Sequence, residues 1–206
     1  MGTPEFSVPS LAALLTSEHS VAGVVTQPDR PKGRGQELAA SPVKQLALQH
    51  TIPILQPAKM KDPAFLNTLS AWKPDLIAVT AFGRILPKVV LDLPPHGCIN
   101  VHASLLPKYR GLNTHRRVLE AGDRVHGASV HFVTAELDGG PVILQSRVAV
   151  RPGDTEDAVS ARVQATEHII YPRVIGWLAD GRLAWREGRP WLDGKPLAAP
   201  VVEDFP

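Results

Sequence analysis

The chain has 206 residues, a hydrophobic fraction of 44% and a formal charge of +2, so it fits one compact domain and carries too little charge to imply nucleic acid by itself. No apolar run reaches the length of a membrane span. Its single cysteine, Cys98, excludes an intrachain disulfide framework and fits a reducing, cytoplasmic setting, and no signal sequence precedes the first structural residues.

The opening Met1-Gly-Thr-Pro-Glu-Phe6 is abrupt. In a nucleotide-type α/β fold such a turn follows a buried strand, so the expectation is a sheet lacking its first strand, with unpaired backbone beside the gap. Ser7 is the expected cap of a helix over 8–15, and 21–26 is a predicted strand. Residues 27–40, with Pro28, Pro31, Gly33 and Gly35, predict a long loop. Its Arg30, Lys32 and Arg34 are either solvated surface charges or contacts for the phosphates of a polyanion. Ser41-Pro42 and Asp62-Pro63 are cap-and-proline signatures for helices over 42–50 and 63–72. Between and after them, 52–55 and 75–81 read as strands and 87–91 as a helix.

Residues 98–101 form a short buried-strand pattern, and Pro107 prevents simple continuation. Asn100 and His102 occupy alternate positions, so both face one side at the strand's carboxyl end. An amide that donates to an oxygen gaining negative charge, beside an imidazole that shuttles a proton, suits acyl chemistry. A hydrogen-bonded Asn and a satisfied core His are the structural alternative. Residues 114–121 predict a helix ended by Gly122, and 127–134 and 142–150 predict antiparallel strands flanking the loop Glu136-Leu-Asp-Gly-Gly-Pro141. Asp138 in that loop either makes an Asx turn or orients His102 and keeps it protonated. A helix over 155–179, capped by Asp154 and interrupted near Pro172, a hairpin over 183–192 and a tail over 198–206 with little to order it complete the chain. Strand–helix alternation predicts an α/β, Rossmann-like fold: a mostly parallel twisted sheet with helices on both faces and ligands outside the strands' carboxyl ends.

Asn100-Val-His102, Ser104-Leu-Leu-Pro107 and Leu137-Asp-Gly-Gly-Pro141 resemble the catalytic motifs of the folate-dependent formyltransferases. Up to Gly111, stretches such as Thr26-Gln-Pro-Asp-Arg-Pro31 and Leu105-Leu-Pro-Lys-Tyr-Arg-Gly111 look like methionyl-tRNA formyltransferase. From Leu112 on, Thr114-His115, Ser129-Val-His-Phe-Val-Thr134 and Arg162-Val-Gln164 are similar to glycinamide ribonucleotide formyltransferase. The chain therefore reads as a hybrid within one formyltransferase domain over 1–206, with its junction near 111–112.

The resemblance implies direct transfer of a formyl group from 10-formyltetrahydrofolate to a primary amine, with no metal. It implies Asn100, His102 and Asp138 as catalytic residues, and Arg84, Ile85, Leu86, Leu137 and Gly139 as folate contacts. Gln164 and Glu167 become acceptor contacts, and the loop carrying Arg30 and Arg34 touches the acceptor stem if the acceptor is a tRNA. For glycinamide ribonucleotide, in purine biosynthesis, speak the chain length, Gln164, Glu167 and the absence of the tRNA enzyme's carboxyl-terminal domain. For methionyl-tRNA speaks the basic loop, and Glu5 stands in the turn where the ribonucleotide enzyme binds phosphate. An inactive folate-binding protein, or hydrolysis with water as acceptor, are the further readings. No DNA or membrane partner is expected. His126, His131 and His168 lack the spacing of a zinc site, and Trp177, Trp185 and Trp191 read as packing.

Overall fold

The computed structural model describes residues 1–32 and 37–206. The chain has the α/β, Rossmann-like fold that the alternation predicts, and its contacts divide into two compact units, Met1–Pro95 and His96–Pro206.

In the first unit, helix α1 (Val8–Leu15) follows a single 3-10 turn, and Leu11 packs with Val24, Val43 and Ala47. Ser7 does not cap that helix; its hydroxyl instead donates to the Thr80 carbonyl at 2.7 Å. Strand β1 (Val24–Val25) pairs in parallel with β4 (Ile54–Leu55). The long loop expected over 27–40 contains an antiparallel ribbon, β2 (Arg30–Lys32) with β3 (Glu37–Ala39). A ribbon with no buried face needs no apolar alternation, which is why its sequence reads as loop. Helix α2 (Pro42–Gln49) begins as predicted, with Ser41 Oγ accepting from Lys44 N at 3.2 Å, and α3 (Pro63–Ala71) begins with Asp62 accepting from Ala64 N at 2.8 Å. Strand β5 (Ile77–Thr80) and the short helix α4 (Lys88–Leu91) complete the unit.

Met1 and Gly2 lie where the missing strand is expected. Gly2 N donates to Val25 O at 3.1 Å, Thr80 N donates to Met1 O at 2.9 Å, and Gly2 bridges Thr80 in parallel. Two residues thus satisfy the ends of β1 and β5 that a gap would orphan. Glycine is required there, because a Cβ would stand 2.8 Å from Ser7 Cβ and 2.9 Å from Thr80 O.

In the second unit, β6 (Cys98–His102), α5 (Thr114–Ala121), β7 (Val125–Phe132), β8 (Val142–Ala149) and α6 (Glu156–Ala179) follow in order. Gly122, at φ 67°, ends α5 as expected. After α6 come β9 (Leu183–Arg186), β10 (Arg189–Leu192), β11 (Lys195–Pro196) and β12 (Val201–Asp204). The sheet runs β12-β8-β7-β6, with β6, β7 and β8 antiparallel to one another and β12 parallel to β8.

Three expectations are corrected here. Helix α6 is continuous through Pro172, because Ile170, Tyr171, Val174, Ile175 and Leu178 are buried on both sides of it and hold the helix on the sheet. Its cap is Thr155, whose hydroxyl accepts from Ala158 N at 3.2 Å. Asp154 instead accepts from Arg162 at 2.7 and 3.1 Å and from Arg151 N at 2.7 Å, which holds its carboxyl at about 2. The tail is ordered: β12 pairs with β8 from Val201↔Leu144 to Asp204↔Arg147, and Arg147 donates twice to Asp204 at 2.8 Å. Among the described residues, no helix is long and apolar enough to cross a membrane.

Candidate active site

Strand β6 delivers Asn100 and His102 on one face, and the antiparallel register sets His131 opposite Asn100 and Ser129 opposite His102. The loop after β7 returns Asp138 to the same place. Its Oδ2 lies 3.6 Å from His102 Nδ1, and its Oδ1 lies 3.9 Å from His131 Nε2. At 3.6 Å the first contact is a charge pair and too long for a hydrogen bond. Asp138 has a left-handed backbone, φ 46°, which its own glycine-rich turn accommodates. Gly140 makes that turn possible, since a Cβ there would stand 1.8 Å from the Phe132 carbonyl.

Hydrogen bonds fix the roles of the two imidazoles. His131 Nδ1 sits 2.9 Å from Phe132 O, so it carries the hydrogen and leaves Nε2 to accept from Asn100 Nδ2 at 3.2 Å. Burial above all pushes the His131 ring below its usual range, which keeps that lone pair available. One N–H of the Asn100 amide is thereby engaged, and the other is left for a second acceptor. His102 Nε2 meets the Tyr109 carbonyl at 3.0 Å. Both ring nitrogens of His102 therefore face acceptors: Nε2 donates to Tyr109 O, and Nδ1 faces the Asp138 carboxylate across 3.6 Å.

The turn between β6 and α5 is held from beneath. Ser129 Oγ donates to Ser104 O at 2.6 Å and accepts from Leu106 N at 3.0 Å, while Gln145 Nε2 donates to Leu106 O at 2.9 Å. Gly111 N donates to Asp138 Oδ2 at 2.9 Å, so the turn also grips the Asp138 carboxylate. Next to the two residues of that bond, Leu112 and Leu137 are 84% and 61% exposed.

The other predicted residues are placed as follows. Gly139 donates its N–H to Glu136 O at 3.2 Å. Gln164 and Glu167 stand three residues apart on α6, hence on one face; Gln164 is half-buried. Glu167 is 2% exposed with neither carboxyl oxygen hydrogen-bonded, and burial pushes it up to about 8. In the first unit, Arg84 donates to the carbonyls of Pro57 and Ala58 at 3.0 and 2.8 Å, Ile85 is 69% exposed and Leu86 is buried. Arg30 is exposed and bonds Gln27, and Arg34 lies outside the described residues. His131 and Tyr109 are the functional neighbours that motif reasoning missed; the signal for His131 lay in the β6–β7 register.

The sequence profile of the family described as Formyl transferase matches residues 1–175. A methionyl-tRNA formyltransferase from Pseudomonas syringae pv. syringae is 48% identical over 182 residues, 88% of this chain and 58% of that protein. The chain thus spans about 58% of the length of this curated relative. Among solved structures, a phosphoribosylglycinamide formyltransferase from Coxiella burnetii superposes with a TM-score of 0.81 at 36% identity, covering 100% of this chain and 96% of that one. One from Anaplasma phagocytophilum gives a TM-score of 0.82 at 25% identity, with coverage of 100% and 96%.

Proposed function

We propose, on the premise that this chain belongs to the formyl transferase family, that it moves a formyl group from 10-formyltetrahydrofolate to a primary amine. The observation that carries the reading is the convergence of Asn100, His102 and Asp138, with Asp138 Oδ2 3.6 Å from His102 Nδ1. The co-substrate supplies the formyl carbon. The free N–H of Asn100 and the Nδ1–H of the His102 imidazolium, which is not hydrogen-bonded to Asp138 at 3.6 Å, stabilise the negative oxygen that develops when the amine attacks that carbon. Asp138 holds the imidazolium's charge and, through a water that it orders, takes the attacking amine's proton and passes it to N10 of the folate as the bond between N10 and the formyl carbon breaks, which releases tetrahydrofolate. Leu137 and Gly139, beside Asp138, contact the folate ring, and residues Arg84, Ile85 and Leu86 are read as folate contacts through backbone and Ile85, since the Arg84 guanidinium is engaged elsewhere.

For the acceptor we read glycinamide ribonucleotide. Its support is the 36% identity to the Coxiella phosphoribosylglycinamide formyltransferase over that protein's whole fold. Gln164 and Glu167 are the acceptor contacts in this reading, and a neutral, unpartnered Glu167 carboxyl has a donor and an acceptor to offer. Methionyl-tRNA is the second reading, favoured by the 48% identity to the Pseudomonas enzyme, with Arg30 and Arg34 as its phosphate contacts. The protein works in the cytosol in either case.

Incubation with 10-formyltetrahydrofolate and each acceptor separates these readings. Formylation of the ribonucleotide is expected, and formylation of the tRNA alone would reverse the choice. Folate turnover without amine would mean hydrolysis. Calorimetric binding of a folate analogue with no turnover would leave a folate-binding protein only.

A further inference from the structure

Residues Tyr109, Arg110 and Gly111 touch both sides of the catalytic pair. The Tyr109 carbonyl takes the hydrogen bond from His102 Nε2, Arg110 forms an ion pair with Glu136 in the loop that carries Asp138, and Gly111 N donates to Asp138 itself. A short strap of this kind positions catalytic groups only if it is itself held, and its first residue has an uncommon backbone, Tyr109 φ 55°. The holding contacts come from two residues with no part in the chemistry. Asp123, between α5 and β7, accepts from the Tyr109 hydroxyl and from Lys108 Nζ, both at 2.9 Å. Arg117, on α5, lies 5.1 Å from the centre of the Tyr109 ring and donates to the Arg110 carbonyl at 2.7 Å. The two anchors therefore grip the strap from its side chain and from its backbone.

We propose that Asp123 and Arg117 are positioning residues that act through the Tyr109–Gly111 strap to fix the rotation of His102 and the placement of Asp138. The strap leaves the His102 ring one orientation in which Nε2 faces a carbonyl and Nδ1 faces a carboxylate. When Asp123 loses its carboxylate, Tyr109 is released at its hydroxyl end; when Arg117 loses its guanidinium, the ring and the Arg110 carbonyl are released together. Tyr109→Phe keeps the ring beneath Arg117 and removes only the hydroxyl, so it gives the graded case. The electrostatics agree with the contacts: Lys108 first and then Tyr109 hold the Asp123 carboxyl below its usual range, and the hydrogen bond to Asp123 holds the Tyr109 phenol above its own.

The inference rests on the formyl-transfer reading for its kinetic consequence and on geometry alone for its structural one, so both are measured. The full chain is labelled with nitrogen-15 at histidine, and the ring resonances of His102 are followed in Asp123→Ala, Arg117→Leu and Tyr109→Phe, with His50 of the first unit as the internal control. Displaced His102 signals with unchanged His50 signals are expected in the first two variants, and smaller displacements in the third. In turnover, kcat is expected to fall by roughly tenfold to a hundredfold with KM for folate little altered, the pattern of misplaced catalytic groups. Unmoved His102 signals in folded Asp123→Ala and Arg117→Leu overturn the proposal. Displaced signals in the variants, together with a wild-type protein that transfers no formyl group, leave the strap standing and remove the function assigned above. The two anchors come from different elements, so a variant that fails to fold leaves the other to decide.

Discussion

The side-chain amide of Asn100 donates to Nε2 of His131 across the β6–β7 pair at 3.2 Å. That bond decides which way the amide faces, because neutral His131 can accept only at the nitrogen not engaged with Phe132 O. His131→Leu leaves the strand pair and the apolar volume but frees the amide to rotate. Its expected cost is up to about a hundredfold in kcat, comparable with Asn100→Ala, because a misdirected oxyanion donor is little better than none. Single-turnover rates of the two variants and of the double variant check this; additive losses would show that the residues act separately.

Asp138→Asn keeps the shape of the loop and the acceptor for Gly111 N, while it removes the charge facing His102. Formyl transfer should fall by about two orders of magnitude or more, with calorimetric folate-analogue affinity within a few-fold of the parent. Equal losses in rate and binding would make the carboxylate a ligand contact and not a proton acceptor.

Gly139 and Gly140 are adjacent yet differ in what they tolerate. A Cβ at Gly140 meets the backbone carbonyl of Phe132 at 1.8 Å, which cannot move without breaking the end of β7, whereas a Cβ at Gly139 meets the flexible end of the Glu136 side chain at 2.3 Å. Gly140→Ala should therefore destabilise the protein by roughly 2 kcal/mol or more, and Gly139→Ala by well under about 1 kcal/mol. Urea unfolding of both variants measures the difference.

Two buried groups tilt stability with pH in opposite directions. Glu167 rises to about 8 on folding from 4.5, so the folded state binds the extra proton and this contribution is full below 4.5 and lost as pH climbs to 8. His126 falls to about 4 from 6.5, chiefly through burial, so its contribution is full above 6.5 and lost as pH drops to 4. Between 4.5 and 6.5 the two slopes offset, and from 6.5 to 8 only that of Glu167 remains, at most about 1.4 kcal/mol per pH unit. Chemical denaturation at pH 6.5 and pH 8 should show the parent weakening, and Glu167→Gln should remove the decline.

Asn100, His102 and Asp138, the residues proposed for catalysis, could be picked out in the sequence because they sit where local rules are strong: a five-residue strand, Cys98–His102, and a turn whose two glycines mark a crowded backbone. Their supporting residues were hidden because they depend on pairing. His131 gains meaning only when the antiparallel register places it against Asn100, and Tyr109 works through a carbonyl that has no sequence signature. Helix starts followed the cap-and-proline pattern at Ser41 and Asp62, whose side chains accept from the backbone of the helix they begin. The simple caps expected at Ser7 and Asp154 failed, because those side chains are taken by Thr80 O and by Arg162. The tail and the 30–39 ribbon were misread for a shared reason: short polar strands are stabilised by a neighbour's backbone and carry no periodicity of their own.

The outermost strand, β12, has a bearing on how copies of this protein behave when crowded. It is four residues long, carries Glu203 and Asp204, and is followed two residues later by Pro206. A neighbouring molecule seeking to extend the sheet there meets two ion pairs, Glu203 with Arg173 and Asp204 with Arg147, and then a residue with no amide hydrogen to offer. Covering β8 with so unwelcoming a strip gives the sheet a rim that discourages fibrous growth.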